Sequence, residues 1–356
     1  MEKSIAIEYL PWSKKVLNYC LQTAANGGIP CLDIELTSKC TGACCIYCDS
    51  KPSVCAHSNP DEIVFEDLKR IILESKKQGL QWVYTCGLGE PLEDKKFWKM
   101  LELFSENDIY LSMFSNGVFI QDKKTAERLK NHNVNIILKM DTFNEQNFDA
   151  ILGYKGVAKK IYKARDLLLE AGYGADQNGY TNLAFSIVPT SLSIDSIPDV
   201  VEFCKKNGIF ASIGELEQAG EVIKNNLVET LGIKKEQILN LQKIANDYIG
   251  GIYKRPICPC IMTGVHIDNI GNCLVDKDTG LNCKWFLLKN PSVYCIGDIY
   301  HESIQELYNK VINYRLKAFE SNKIEIDNAF YVDYVFGGCG GNPKDIIKLV
   351  MEQNSQ

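Results

Sequence analysis

Thr37-Ser38-Lys39-Cys40-Thr41-Gly42-Ala43-Cys44-Cys45-Ile46-Tyr47-Cys48 follows directly on the β-rich run Cys31–Leu36. Small residues and glycine between these thiols let the backbone wrap so that several sulfurs converge on one metal centre, the way iron–sulfur clusters are held. A tetrahedral zinc site is the alternative. Zinc knuckles usually draw paired ligands from two arms, and Cys55 and His57 would have to supply the second. The spacing within the loop favours the cluster.

Outward from this loop, short β-rich runs alternate with amphipathic helical stretches. The expected strands are Cys31–Leu36, Gln81–Thr85, Tyr110–Phe114, Asn135–Met140, Asn182–Val188 and Phe210–Glu215. Between them Phe65, Leu68, Ile71 and Ile72 mark one helical face, and Phe97, Met100, Leu101 and Phe104 another. A third is Ile161, Ala164, Leu167 and Leu168. Six β/α units in series predict an α/β chain with a parallel sheet and crossover helices, an open or partial barrel. Ligands in such sheets sit beyond the carboxyl ends of the strands. After Gly220 the rhythm changes, and a helical stretch around 235–249 leads into a turn-rich segment with many cysteines. The expected division is residues 1–234 for the barrel and 235–356 for a small Cys-rich domain.

The 356 residues carry a net charge of -6 with acids and lysines interspersed, so no basic footprint for a polyanion exists and nucleic acid is disfavoured as a partner. The first twelve residues lack the basic-then-apolar order of a signal peptide, and no apolar run is long enough to span a bilayer. A reducing cytoplasmic setting is therefore expected, where clustered thiols serve metals or catalysis more often than disulfides. Of the 15 cysteines, six fall between Cys31 and Cys55 and six between Cys258 and Cys339. Two separate thiol-rich sites follow.

The chain resembles the radical S-adenosylmethionine superfamily, whose signature is C-x3-C-x-φ-C after the first barrel strand. Cys45-Ile46-Tyr47-Cys48 matches its second half, while Cys40 to Cys45 is one residue longer than the pattern. The resemblance implies a partial (β/α)6 barrel and a [4Fe–4S] cluster on Cys40, Cys45 and Cys48, with Cys44 in reserve. It further implies that S-adenosylmethionine binds the open iron and is cleaved to a 5′-deoxyadenosyl radical that abstracts hydrogen from substrate. Thr85-Cys86-Gly87-Leu88-Gly89-Glu90-Pro91 resembles the family's GGEP segment, with Gly87 and Gly89 allowing close approach and Glu90 accepting from the amino group. Phe114-Ser115-Asn116-Gly117 resembles its T-N-G, although Asn-Gly is equally a plain turn. Ser115, Asn116 and Ser186 join Tyr47 as expected cofactor contacts. Lys139 stands where relatives carry a serine, and either pairs with the methionine carboxylate or is a solvated strand end. Asp141 and Glu217 are candidate catalytic residues, Glu217 lying in Glu215-Leu216-Glu217, whose alternate acids share a face.

In the C-terminal part, Cys258-Pro259-Cys260, Cys273, Cys283, Cys295-Ile296-Gly297-Asp298 and Cys339 resemble a SPASM or Twitch extension. That resemblance implies one auxiliary [4Fe–4S] cluster. His266, His57, His132 and His301 show no ligand pairing and default to core or surface histidines. The function these readings imply is modification of a peptide or protein by crosslinking, oxidation or epimerisation, with a flavodoxin- or ferredoxin-type electron donor. The alternatives are radical dehydrogenation of a sugar or alcohol, and a zinc-binding regulatory protein without turnover.

Overall fold

The computed structural model describes residues 14–48, 61–85, 88–132, 134–176, 180–248, 264–276 and 293–320. All six expected strands form, as β1 (Cys31–Ile34), β2 (Trp82–Thr85), β3 (Tyr110–Ser115), β4 (Val134–Lys139), β5 (Leu183–Ile187) and β6 (Phe210–Ile213). They pair in parallel in sequence order, with register fixed at pairs such as Asp33↔Tyr84, Tyr84↔Ser112, Ser112↔Asn135 and Lys139↔Ser186. The crossovers are helical: α2 (Phe65–Lys77), α3 (Phe97–Glu106), α4 (Lys123–Asn131), α5 (Glu145–Leu152), α6 (Val157–Glu170) and α7 (Ile197–Asn207). Their apolar stripes, including Leu68, Ile71 and Ile72 of α2 and Phe97, Met100 and Leu101 of α3, are buried against the sheet. The core is the outward face of that sheet. Leu32, Val83, Leu111, Ile136 and Phe185 all belong to it and are essentially inaccessible.

The alternate residues of each strand point to the other, concave face, because side chains along a strand alternate. There α1 (Lys14–Ala25) sets Val16 and Cys20 against Cys31, Trp82 and Tyr84, with Trp82 stacked on Tyr110 at 5.8 Å between centroids. One end of the concave face is thereby filled with aromatic rings. At the other end, where strands finish, the face carries Phe114, Ile137, Lys139, Ser186 and Val188 and remains open.

After β6 come the short α8 (Gly220–Lys224) and α9 (Leu227–Leu231), then α10 (Lys235–Tyr248). The sheet does not stop at the division expected after residue 234. Strands β7 (Val265–Ile267), β8 (Asn272–Asp276) and β9 (Val293–Asp298) continue it to nine, in the order β6-β5-β4-β3-β2-β1-β7-β8-β9. β7 runs parallel to β1, and α11 (Ile304–Glu320) packs beside β9 and α2. The β1–β7 seam carries a buried acid–histidine–acid group: His266 Nδ1 lies 2.9 Å from Asp33 Oδ2, and its Nε2 lies 3.6 Å from Glu35 Oε1. His266 is thus a core histidine placed between two acids. No described helix is long and apolar enough to cross a membrane.

Candidate active site

The carboxyl ends of β1 to β6, or the loops that follow them, line one cavity of about 210 Å3. Its lining includes Cys40, Cys45, Tyr47 and Cys48 from the loop after β1, Gly89 and Glu90 after β2, and Ser115 and Asn116 at the end of β3. Lys139, Ser186, Glu215 and Glu217 complete its polar wall, while Leu88, Phe114, Ile137 and Val188 supply apolar surface.

The cysteine loop has little regular structure of its own and is held from outside. At its start Glu62 accepts from the Ser38 amide at 2.5 Å and from the Thr37 and Ser38 hydroxyls. Glu93 then accepts from Thr41 N at 2.5 Å and Thr41 Oγ1 at 2.6 Å. In the middle, Cys44 N and Ile46 N donate to the carbonyls of Leu152 and Ile151 at 2.9 Å each. These are C-terminal carbonyls of α5, which have no partner within their own helix. At the loop's end Cys48 O accepts from Glu221 N of α8 at 3.1 Å. The residue between the two α5 contacts, Cys45, lines the cavity with Cys40 and Cys48; Cys44 is not among the lining residues.

Helix α5 can approach so closely because it ends on Gly153, in the left-handed conformation at φ 77°. A Cβ there would lie 2.3 Å from the Cys44 carbonyl oxygen, whereas one on the nearby Gly156, at φ 83°, meets nothing. Gly153→Ala is therefore expected to destabilise the protein by about 3 kcal/mol and to lower iron uptake, from left-handed strain plus displacement of the loop. Gly156→Ala, with the strain alone, should cost about 1–2 kcal/mol and leave uptake unchanged; urea unfolding and iron analysis compare the two.

Glu90 is 2% exposed. Its Oε1 accepts from Ser115 Oγ at 2.8 Å and its Oε2 from Asn116 N at 2.7 Å. Burial outweighs these hydrogen bonds and raises its pKa to about 7. Gly89 before it is obligatory for a different reason: a Cβ would stand 2.4 Å from Lys39 O and 2.6 Å from Thr37 O, so the β2 loop lies directly on the cysteine loop. Asn116 reaches the same loop from β3, its Nδ2 donating to Cys40 Sγ at 3.6 Å.

Burial pushes the Cys40 thiol up, and Glu90, Cys45 and Cys48 raise it further by their negative charge. Burial also raises Cys45, against the pull of the Lys139 ammonium. Ligating thiols must lose their protons, so loading a metal releases protons here. Among the described residues no three of His, Cys, Asp and Glu converge closely enough to hold a single ion. Three thiols spread around a cavity are what a cubane cluster takes, since its irons are bound separately. The residues present fit that group.

Lys139, expected as either a carboxylate partner or a solvated strand end, is 16% exposed in its side chain and pairs with Asp141 Oδ2 at 2.8 Å. Asp141 is fully buried and stands behind the cavity wall, not in it. Glu217 lines the cavity, as does Glu215. Gly87 and Cys86 lie outside the described residues, as do Cys258, Cys260, Cys283 and Cys339. Of the C-terminal candidates that are described, Cys273 is buried in the core on β8 and Cys295 is exposed on β9. None of the nine described cysteines is in a disulfide. Glu62 and Glu93, which hold the cysteine loop, escaped the sequence reading, because an acid in a polar stretch carries no local mark of its partner.

A family model described as Radical SAM superfamily matches residues 34–204, from the end of β1 into α7. The mycofactocin maturase MftC of Mycolicibacterium smegmatis is 26% identical over 190 residues, 53% of this chain and 45% of that protein. A probable GTP 3′,8-cyclase of Methanocaldococcus jannaschii is 28% identical over 211 residues, 58% of this chain and 65% of that protein. In both the match spans less than two thirds of the relative's length. Among solved structures, Streptococcus suis SuiB bound to S-adenosylmethionine superposes with a TM-score of 0.58 at 18% identity, covering 79% of this chain and 66% of that one. The structure described as anSMEcpe with bound AdoMet gives 0.53 at 18% identity, covering 91% and 93%. These likenesses are of fold, and they agree with the domain match, which runs from the end of β1 through the cysteine loop and β2 to β5: residues 34–204 of the chain match the Radical SAM superfamily.

Proposed function

We propose that this chain is a radical S-adenosylmethionine enzyme acting on a peptide or protein, with a [4Fe–4S] cluster on Cys40, Cys45 and Cys48. The observation that carries the reading is that these three thiols and Glu90 line one cavity at the carboxyl end of the sheet. When bound, a cluster held by Cys40, Cys45 and Cys48 would supply the electron for reductive cleavage of S-adenosylmethionine. The chain's own residues do the rest. Glu90 accepts from the amino group, Ser115 and Asn116 N hold Glu90 in place, and the apolar wall of Leu88, Phe114, Ile137 and Val188 keeps water away. Glu217 and Glu215 face the substrate side of the reaction.

A peptide substrate is supported by the maturase MftC and by the SuiB structure bound to precursor peptide SuiA, which superposes with a TM-score of 0.58 at 17% identity over 87% of this chain. The GTP 3′,8-cyclase relative supports a small-molecule substrate as the second reading. A reducing cytoplasm suits thiols that are not in disulfides, and a flavodoxin or ferredoxin supplies the electron. The C-terminal cysteines, with the extension beginning near residue 235, bind one auxiliary [4Fe–4S] cluster.

One variant tests both clusters. With Cys40, Cys45 and Cys48 all replaced by Ala, anaerobic protein given dithionite and S-adenosylmethionine is expected to release no 5′-deoxyadenosine yet still to hold about four irons, one cubane. Release at the wild-type rate would sink the barrel site. A colourless variant with about one zinc would remove the auxiliary cluster and leave the barrel cluster standing.

A further inference from the structure

Asp141 lies just past the end of β4 and is fully buried, yet both of its carboxylate oxygens are engaged. Oδ1 accepts from Val188 N, just past β5, at 2.9 Å. Oδ2 accepts from the Tyr47 hydroxyl of the cysteine loop and from Lys139 Nζ at 2.8 Å. The Lys139 ammonium also donates to the Tyr47 hydroxyl and sits 4.5 Å from the centre of its ring. A buried carboxylate persists only when its charge is paired and its oxygens are hydrogen-bonded, and here three donors from three segments do both. An oxygen so occupied, behind the cavity wall, is badly placed to take a proton from substrate.

We infer that Asp141 is a positioning residue that clamps the cysteine loop, through Tyr47, onto the ends of β4 and β5. Tyr47 stands between Ile46, whose amide is tied to α5, and Cys48, whose carbonyl is tied to α8. Backbone ties alone leave the loop free to rock about that line. The Tyr47 hydroxyl fixes it from the side, and with it the directions of the Cys45 and Cys48 sulfurs, which both face the cavity. Lys139 completes the clamp by neutralising Asp141 and by stacking on the ring whose hydroxyl it also holds.

The clamp itself is a property of the polypeptide; only its effect on iron rests on the function proposed above. Tyr47→Phe removes the hydroxyl and leaves the Asp141–Val188 and Asp141–Lys139 contacts in place. Asp141→Asn keeps an acceptor for Val188 N and removes the charge. In protein prepared without iron, amide exchange of Cys44, Ile46 and Cys48 should rise about tenfold in each variant, and no further in the double variant, because both break one connection. In reconstituted protein each single variant should lose iron to a chelator at least about tenfold faster, as removal of the groups orienting metal ligands usually does. The midpoint potential should move in the same direction in both. Exchange and iron loss at the wild-type rate in Tyr47→Phe, or effects that multiply in the double variant, would overturn the clamp. Wild-type protein that takes up no iron would instead overturn the proposed function, with the exchange measurement still deciding the clamp.

Discussion

Cys45→Ala is expected to reduce 5′-deoxyadenosine release to background and to lose the barrel cluster, while Cys44→Ala keeps activity within about threefold of wild type, as a half-buried side chain outside the site should. Two adjacent cysteines occupy a stretch where the signature has one, so spacing from Cys40 fits Cys44 and spacing to Cys48 fits Cys45. The structure favours Cys45. Cys44 N and Ile46 N both donate to carbonyls at the end of α5, and of the two adjacent cysteines it is Cys45 that lines the cavity with Cys40 and Cys48. On this arrangement the extra residue is expected before Cys45, with Gly153 giving the Cys44 carbonyl room. Removing a ligand takes away the catalyst itself, whereas removing Cys44 takes away only a thiol beside α5. Iron content and 5′-deoxyadenosine release on the two variants check this, and the reverse pattern would place the extra residue between the second and third ligands.

What could be read from the sequence was what local pattern encodes. The β1 to β6 strands and their crossover helices follow from alternation and a 3.6-residue period, each confined to a dozen or so neighbours. The loops that end those strands were legible for the same reason, because cysteines, Gly89-Glu90 and Asn116-Gly117 sit at fixed offsets from strand ends. The β1–β7 pairing was not. It joins residues more than 200 apart, at Asp33↔His266, and its determinant is a buried acid–histidine–acid group whose members look unremarkable in sequence. The sheet accordingly runs on through the segment expected to be a separate domain. Likewise the burial of α1 against Trp82 and Tyr84 shows only once the concave face of the strands is known. Asp141 was singled out for the right loop and given a chemical role, while its partners Tyr47 and Val188 are 94 and 47 residues away.

Glu90→Gln should weaken S-adenosylmethionine binding to reconstituted protein by roughly a hundredfold at pH 8, the effect of losing a buried, charge-assisted hydrogen bond worth about 3 kcal/mol. The carboxylate is held by Ser115 Oγ and Asn116 N, so the substitution also sets an amide NH2 against a donor. The pH dependence separates these effects. In protein prepared without iron or ligand, Glu90 has its pKa raised by burial from 4.5 to about 7. Folded protein then binds a proton between those values that unfolded protein has released. Stability from this group is full below about 4.5, falls as pH rises toward 7, and is constant above it, a total of about 3 kcal/mol at 1.36 kcal/mol per pH unit. Glu90→Gln, neutral throughout, should lack that slope in urea unfolding from pH 5 to 8. Binding should show the opposite trend. An ammonium group prefers the ionised carboxylate, so wild-type affinity should rise through pH 7 and that of Glu90→Gln stay flat over the same range. Equal pH profiles for the two proteins would mean that Glu90 supports the β2 loop and does not meet the ligand's amino group.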